Sequence, residues 1–188
     1  MTKRAVGNDG RYTSQSNEDA IIADIFSKIG MGKKRFLEFG CGDGRQNNTI
    51  ALVHQGWSGK WLDGHRRRIL SAKERFAEYP NLKIFRRKIN PRNVNKWVTG
   101  KLEFLSIDVD GADYDIWYAL SARPHVVCIE YDAGLPTRKK GQGGTPLEII
   151  KELGEAKGYL FYGVSASNVN AFFVAKEKMM STIEEDGE

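Results

Sequence analysis

Three carboxylic acids stand at the ends of two apolar segments of the chain. Asp108 and Asp110 follow the apolar run that begins at Leu102, and Glu130 lies near the end of the run that begins at His125. Because Asp108 and Asp110 are two residues apart in extended chain, both side chains can point into the same crevice. Converging carboxylates can raise a pKa and supply a base near neutrality, or they can hold a divalent ion through oxygen ligands. A third interpretation is that these acids only solvate loop ends and cap a helix.

A glycine-rich turn lies between the first predicted strand and the next predicted helix. Residues 38–44 read Glu-Phe-Gly-Cys-Gly-Asp-Gly, and the alternating glycines let the backbone turn tightly and approach a ligand closely. A dinucleotide fingerprint would require glycine at position 45 or 47, where Arg45 and Asn47 stand, and no Walker lysine follows. The spacing therefore disfavours a pyrophosphate clamp. An acid followed by x-Gly-x-Gly-x-Gly resembles the first motif of class I S-adenosylmethionine-dependent methyltransferases, and an ordinary glycine-rich turn is the alternative.

Asp63 ends the second predicted strand, 19 residues after Gly44. A carboxylate at that point can accept hydrogen bonds from both hydroxyls of a ribose. Asp63 therefore supports the binding of a nucleoside but does not distinguish a dinucleotide from S-adenosylmethionine. The glycine spacing makes that distinction. The alternative is a turn residue before Gly64.

Apolar runs and helical periodicity alternate along the chain. Strands are predicted over 35–39, 59–63, 82–89, 102–109, 125–131, 159–164 and 168–175. Helices are predicted from a cap at Ser14 or Ser16 to Ile29, and over 47–55, 66–79, 91–97, 113–120 and 146–157. Five strand–helix alternations and a final hairpin predict an α/β fold. It is a Rossmann-like three-layer sandwich with a mostly parallel seven-stranded sheet and a C-terminal antiparallel hairpin. Residues 1–13 are predicted to be a flexible arm, 14–178 a single domain and 179–188 an acidic tail.

Further segments match a narrower family. They are Ser14-Gln15-x-x-Glu18-Asp19, Asn48-Thr49, Gly56-Trp57-Ser58-Gly59, Ile107 to Tyr114, Gly158-Tyr159 and Asn170 to Val174. Over residues 12–175 the chain therefore resembles the FkbM-type methyltransferases, in which Ile-Asp-Val-Glu/Asp-Gly-Ala-Glu/Asp is typical. It departs from them where Asp63-Gly64-His65 replaces the usual Glu-Pro and a run of three arginines follows, and it has no inserted cap domain.

The resemblance implies S-adenosylmethionine as cofactor and methyl transfer to an oxygen of a small-molecule or sugar-like acceptor. It implies Asp108, Asp110 and Glu130 as catalytic residues, with Asp108 facing the methionine moiety and Asp110 facing the acceptor. No metal ligand is assigned. The implied cofactor-binding residues are Gln15, Glu38, Gly40, Cys41, Gly42, Asp43, Gly44, Asn48, Asp63, Gly64, His65, Ile89 and Asp108.

The charge of the chain is unevenly distributed. Residues 1–100 carry 20 Lys and Arg against 9 Asp and Glu, whereas residues 101–188 carry 9 against 15. This pattern indicates either an anionic partner or a solvated surface of uneven charge. The clusters Arg66–Arg68 and Arg86–Lys88 support a nucleic-acid (RNA) methyltransferase as an alternative, although no base-flipping motif is present. A non-catalytic S-adenosylmethionine-binding protein is the third possible function.

The composition excludes several other classes of protein. Hydrophobic residues make up 40% and charged residues 28%, which excludes a disordered chain, a collagen and a coiled coil. No apolar stretch approaches the roughly 18 residues of a bilayer helix, so we predict a soluble cytoplasmic protein with no membrane partner. Cys41 and Cys128 are predicted to be reduced thiols. The run Arg138–Lys140 with Gly143 and Gly144 is either a mobile lid or anion clamp, or ordinary solvated charge.

Overall fold

A computed structural model describes residues 13–135 and 144–185, with side chains described as far as Met180. The predictions for the N-terminal arm up to residue 12 lie outside these residues. The same holds for the predicted lid over 138–143 and for the last three residues of the acidic tail.

Seven strands and six α-helices are formed by the described residues. In chain order they are α1 (Glu18–Ile29), β1 (Arg35–Phe39), α2 (Ile50–His54), β2 (Ser58–Asp63), α3 (Arg66–Arg75), β3 (Leu82–Arg86), β4 (Phe104–Ile107), α4 (Asp113–Ala119), β5 (Val126–Glu130), α5 (Leu147–Ala156), β6 (Tyr159–Val164), β7 (Asn170–Ala175) and α6 (Lys176–Glu185).

The strands form one mixed sheet in the order β3-β2-β1-β4-β5-β7-β6. Five neighbouring strands of the sheet pair in parallel: β3, β2, β1, β4 and β5. Strand β7 is antiparallel to both of its neighbours, β5 and β6. This arrangement confirms the predicted fold. The direction of the strand order reverses between β1 and β4, and open α/β sheets bind ligands at the carboxyl ends of the strands beside such a switch.

The central strands read as continuous apolar runs because helices cover both faces of the sheet. All four residues of β4 and the last four of β1 are buried. One face packs around Trp117 and Phe173, and the other packs around Trp57 and Phe104. These two apolar layers fix the positions at which the strands end.

Some elements end earlier than predicted: α3 ends at Arg75 instead of residue 79, and β3 ends at Arg86 instead of residue 89. Three further differences have a physical reason in the structure. The helix predicted from residue 47 begins only at Ile50, because Asn47–Thr49 hydrogen-bond to Glu38 from a loop. The helix predicted over 91–97 is a single 3-10 turn, Val94–Lys96. There Asn90 and Asn93 bond to nearby backbone and so compete with a helix.

The third difference is at the C-terminal end of the described chain. Residues of the predicted acidic tail continue as α6 as far as Glu185. Helix α6 lies against α1, and Met179 packs on the apolar layer around Trp57. Buried apolar contact therefore explains why this segment is ordered as a helix.

Among the described residues, no helix combines the length and apolar character that a membrane-spanning segment requires.

Candidate active site

The glycine-rich loop after β1 meets the end of β4 at the switch point. Gly40 has a φ of 82°, and a Cβ atom built there would lie 1.4 Å from the carbonyl oxygen of Asp108. Only glycine permits this approach. The backbone continues the sheet pairing on both sides, since Gly40 donates to the carbonyl of Leu62 at 2.8 Å and Asp108 donates to that of Phe39 at 3.1 Å.

Asp63 joins the glycine loop to the end of β2. Its Oδ2 accepts a hydrogen bond from the backbone of Gly42 at 2.9 Å, and its Oδ1 accepts one from the backbone of His65 at 2.6 Å. A carboxylate has about four acceptor sites, so each oxygen can accept a further hydrogen bond from a ligand hydroxyl. Gly42 itself has a φ of 56° and no atom within 4 Å of the position of a Cβ. The turn is therefore open toward the crevice.

Gly44 has a different position from that predicted. A Cβ atom there would lie 2.9 Å from the ring of Phe76 and 3.2 Å from the ring of Trp61. Gly44 therefore closes the loop onto the apolar layer, and it is the one predicted cofactor residue that does not line the crevice.

Glu38 is buried beneath the loop. Its carboxylate accepts hydrogen bonds from the hydroxyl of Thr49, the backbone of Asn48 at 2.9 Å and the side chain of Asn47 at 3.4 Å. Trp61 in turn donates to the Thr49 hydroxyl at 2.7 Å. Burial outweighs these hydrogen bonds and raises the pKa of Glu38 from 4.5 to about 7. The acid of the motif thus holds the segment 47–49 in place.

Two cavities meet at Gly40, Arg68 and Asp108. Their volumes are about 380 and 830 Å³, within the range of small-molecule sites. Predicted residues line the smaller cavity: Gln15, Glu38, Gly40, Cys41, Gly42, Asp43, Asn48 and Asp108. The larger cavity is lined by Gly40 and Asp108 as well, and by five further predicted residues: Asp63, Gly64, His65, Ile89 and Asp110. These cavities are also lined by residues that were not predicted to bind the cofactor. Gln46 and Asn47 carry no motif, Ala112 lies within the segment Ile107 to Tyr114, and Arg68, Arg86, Arg87 and Lys88 belong to the two basic clusters.

Gln15 reaches the smaller cavity from the turn before α1. That turn is fixed by Asp19, whose Oδ2 accepts from the backbone and hydroxyl of Thr13 at 2.6 and 2.8 Å. Asn17 stands at the N-cap position of α1, but its side chain accepts from the backbone of Ala166 at 2.7 Å and makes no capping hydrogen bond. Of the two predicted caps, Ser14 does accept from the first turn, since its Oγ accepts from the backbone of Asp19 at 3.4 Å.

Asp108 and Glu130 form a hydrogen-bonded carboxyl pair at the ends of β4 and β5. The register that pairs Ile107 with Ile129 places the two acids side by side. Burial, followed by the charge of Asp113, raises the pKa of Asp108 to about 6. Burial, followed by the charge of Asp108, raises the pKa of Glu130 to about 8. The two acids therefore titrate as a pair, which retains a proton near neutral pH.

Asp110 lies between the large cavity and a third cavity of about 410 Å³. Its φ of 58° is unusual for a residue with a side chain. Asp113 holds this turn, since its two oxygens accept from the backbone of Val109 at 2.7 Å and of Gly111 at 2.9 Å. Glu130 also lines the third cavity. Within the described part of the chain, no group of three or more His, Cys, Asp or Glu side chains is arranged to hold a metal ion.

Comparisons with known proteins identify the class of fold. No protein-family model matches the chain, and no curated protein matches its sequence. Magnesium protoporphyrin IX methyltransferase (ChlM) from Synechocystis PCC 6803, solved with bound S-adenosylmethionine, is similar with a TM-score of 0.56 and 14% identity. The match covers 84% of this chain and 79% of that one.

Two further solved structures agree with this result. An S-adenosylmethionine-dependent methyltransferase from Clostridium acetobutylicum ATCC 824 has a TM-score of 0.59 at 10% identity, with 82% of this chain and 89% of that one covered. The bifunctional kinase–methyltransferase WbdD has a TM-score of 0.59 at 14% identity, with 83% of this chain but 38% of that one covered. At these identities the similarity establishes a shared fold. The chain has the class I fold of S-adenosylmethionine-dependent methyltransferases.

Proposed function

We propose that the protein is an S-adenosylmethionine-dependent methyltransferase that methylates an oxygen of a small-molecule or sugar-like acceptor. The observation that supports this most strongly is the position of the Asp108–Glu130 pair. Asp108 lines the two cavities at the glycine loop, and Glu130 lines the third cavity beyond Asp110. A group that can take up a proton thus lies between a nucleoside-sized crevice and a separate polar cavity.

The residues around the crevice fit the cofactor. Asp63 has free acceptor capacity for ribose hydroxyls, and Gly42 leaves open space where a side chain would obstruct a ligand. Asp43 and Gln15, on the wall of the smaller cavity, are polar groups suited to an amino-acid end. When bound, S-adenosylmethionine supplies a methyl group already activated by a sulfonium.

The carboxyl pair removes the proton of the acceptor. At neutral pH one carboxylate of the pair is ionised and the other carboxyl donates a hydrogen bond to it. The acceptor O–H bond breaks as its proton passes to the ionised carboxylate of the pair. Because the raised pKa values lie close to neutrality, the pair is well matched to this transfer. Asp110, on the rim between the two cavities, orients the acceptor.

Calorimetry with S-adenosylhomocysteine tests the cofactor assignment. Asp63→Ala should weaken binding by about 100-fold or more, because two hydrogen bonds to a charged acceptor are lost. Glu152→Ala, an exposed acid on α5, is the matched control and should bind as the wild type does. Circular dichroism checks that the variants are folded. Absence of heat from the wild type with either form of the cofactor would refute the proposal.

Transfer of a labelled methyl group to a panel of sugars, polyols and phenols tests the chemistry. We expect an O-methyl product, and Glu130→Gln should reduce kcat by about 10²- to 10⁴-fold, because the variant lacks one of the two carboxyl groups that take up the proton. Its affinity for S-adenosylhomocysteine should not change. A product methylated on nitrogen or carbon, or full activity of Glu130→Gln, would contradict the assignment of the base.

A further inference from the structure

A strongly basic surface flanks the larger cavity. Residues 64–101 contain 12 Lys and Arg but only 2 Asp and Glu, and they run from the end of β2 to the segment before β4. Six of these cations form two clusters, which we call the basic rim: Arg66, Arg67, Arg68, Arg86, Arg87 and Lys88. All six side chains are exposed. The excess of positive charge in the chain is thus concentrated at one place beside the crevice.

The two clusters are held next to the same acid, Asp63. The cluster on α3 begins one residue after His65, whose backbone donates to Asp63 Oδ1. The cluster after β3 is joined to the same point, since Arg87 donates its backbone N–H to the carbonyl of Asp63 at 2.8 Å. Arg86 also donates from Nε to the carbonyl of Gly64 at 3.4 Å. Both clusters are therefore fixed at the mouth of the cavity and do not lie on separate faces.

Arg87 lies over the ring of Trp97, 5.6 Å from its centroid, but no carboxylate of the described residues neutralises these charges. Elsewhere on the surface, cations pair with acids, as Lys28 does with Asp24 and Arg123 with Glu177. Among the described residues, no carboxylate forms an ion pair with any member of the basic rim. An ordinary solvated surface would mix the two signs of charge.

The local structure also disfavours this charge. Arg66, Arg67 and Arg68 form the first turn of α3, which contains no acid. The N-terminal end of a helix carries partial positive charge and favours anions. Since the arginines do not stabilise their own helix, an external anion is the partner that would offset their repulsion.

We propose, on the basis of the proposed function, that the basic rim binds the phosphates of a single-stranded nucleic acid and presents a sugar hydroxyl of one of its nucleotides to the carboxyl pair. Arg68, Arg86, Arg87 and Lys88 line the same cavity as Asp108 and Asp110, so a backbone on the rim lies within reach of the acids. The third cavity, of about 410 Å³ beside Asp110 and Glu130, has room for a single nucleotide unit but not for a duplex. The six cations of the two clusters match a chain of regularly spaced phosphates better than they match a single phosphate.

Fluorescence anisotropy of a labelled 20-nucleotide RNA of mixed sequence tests this site in the full chain without cofactor. The logarithm of the association constant decreases linearly with the logarithm of the salt concentration. If two phosphate contacts are lost in Arg67→Gln/Lys88→Gln, this slope should become less negative by about 1.4. Binding at 0.1 M salt should then weaken by about 25-fold. The matched control is Lys33→Gln/Lys34→Gln, which removes two exposed cations before β1, at the opposite end of the parallel strands. It should bind as the wild type does.

The competing ligands are compared in the same assay. DNA of the same sequence, a blunt duplex, free nucleotides and vesicles with anionic lipid are tested in parallel. Single strands should bind more tightly than the duplex, and far more tightly than free nucleotides or vesicles. An equal loss of binding in the control pair, or stronger binding to duplex, nucleotide or vesicle, would overturn the proposal. Because S-adenosylhomocysteine binding is measured separately, failure here with intact cofactor binding leaves the methyltransferase proposal standing.

Discussion

The buried acid of the glycine motif makes the stability of the fold depend on pH. Glu38 has an ordinary pKa of 4.5, and burial raises it to about 7 in the folded chain. Because the folded value is the higher one, the neutral acid favours the folded state. This stability is fully present below pH 4.5 and is lost as the pH rises through 7. The interval corresponds to about 3 kcal/mol of unfolding free energy, since one pH unit is worth 1.36 kcal/mol.

Glu38→Gln removes this titration but retains the shape of the side chain. Its amide oxygen can still accept a hydrogen bond from the Asn48 backbone, as the acid does. Between pH 5 and pH 8 the wild type should lose about 2 to 3 kcal/mol from this group, and the variant should lose none. The free energy of unfolding of Glu38→Gln minus that of the wild type should therefore rise by about 2 to 3 kcal/mol over this range.

Urea unfolding followed by tryptophan fluorescence at half-unit pH steps measures this difference. Other titrating groups are common to both proteins and cancel in the subtraction. The matched control is Glu152→Gln, an exposed acid on α5, for which the difference should be nearly constant with pH. A constant difference for Glu38→Gln as well would mean that Glu38 is ionised throughout, and the account of the buried acid would be wrong.

Two other perturbations test the site. Gly40→Ala forces a Cβ to within 1.4 Å of the Asp108 carbonyl and should prevent folding or lower the melting temperature by more than about 10 °C. Gly42→Ala meets no atom within 4 Å and should lose only about 1–2 kcal/mol from its backbone conformation, so equal effects would contradict the structure. Infrared spectra should show protonated carboxyl groups at pH 7 that disappear as the pH rises through 8, since the pKa of Glu130 is about 8. Glu130→Gln should weaken that band but not remove it, because Glu38, with a pKa of about 7, also contributes to it. An unchanged band would show that the proton does not lie on Glu130.

The sheet was predictable because its strands are apolar along their whole length. Buried strands such as β4 and β5 stand out from their surroundings, and the turns between them carry the acids that mark the crevice. The convergence of Asp108 with Glu130 was predictable for the same reason, since both end neighbouring parallel strands. That a single proton is shared between them depends on register and burial, which sequence does not supply.

Three features of the site could not be predicted from the sequence, because contacts with other elements determine them. Asn47–Thr49 continue the periodicity of a helix, yet they bond to Glu38 and remain a loop. Gly44 satisfies the motif spacing, yet its position is set by the rings of Phe76 and Trp61, which come from other elements. Arg68 reaches the crevice only because α3 begins directly after Asp63. Each case requires a contact between segments that are distant along the chain.

The insertion of β7 between β5 and β6 sets the order in which the sheet can be completed. Synthesis produces β6 before β7, but β6 has no partner in the sheet other than β7. Until residues 170–175 have left the ribosome, β5 therefore presents an unpaired apolar edge and β6 has nowhere to dock. Glu130 on β5 pairs with Asn170 on β7, so the wall of the third cavity is also among the last parts to form. Nascent chains stopped just before residue 170 should accordingly be bound by chaperones and be inactive, although the whole glycine loop has already been made.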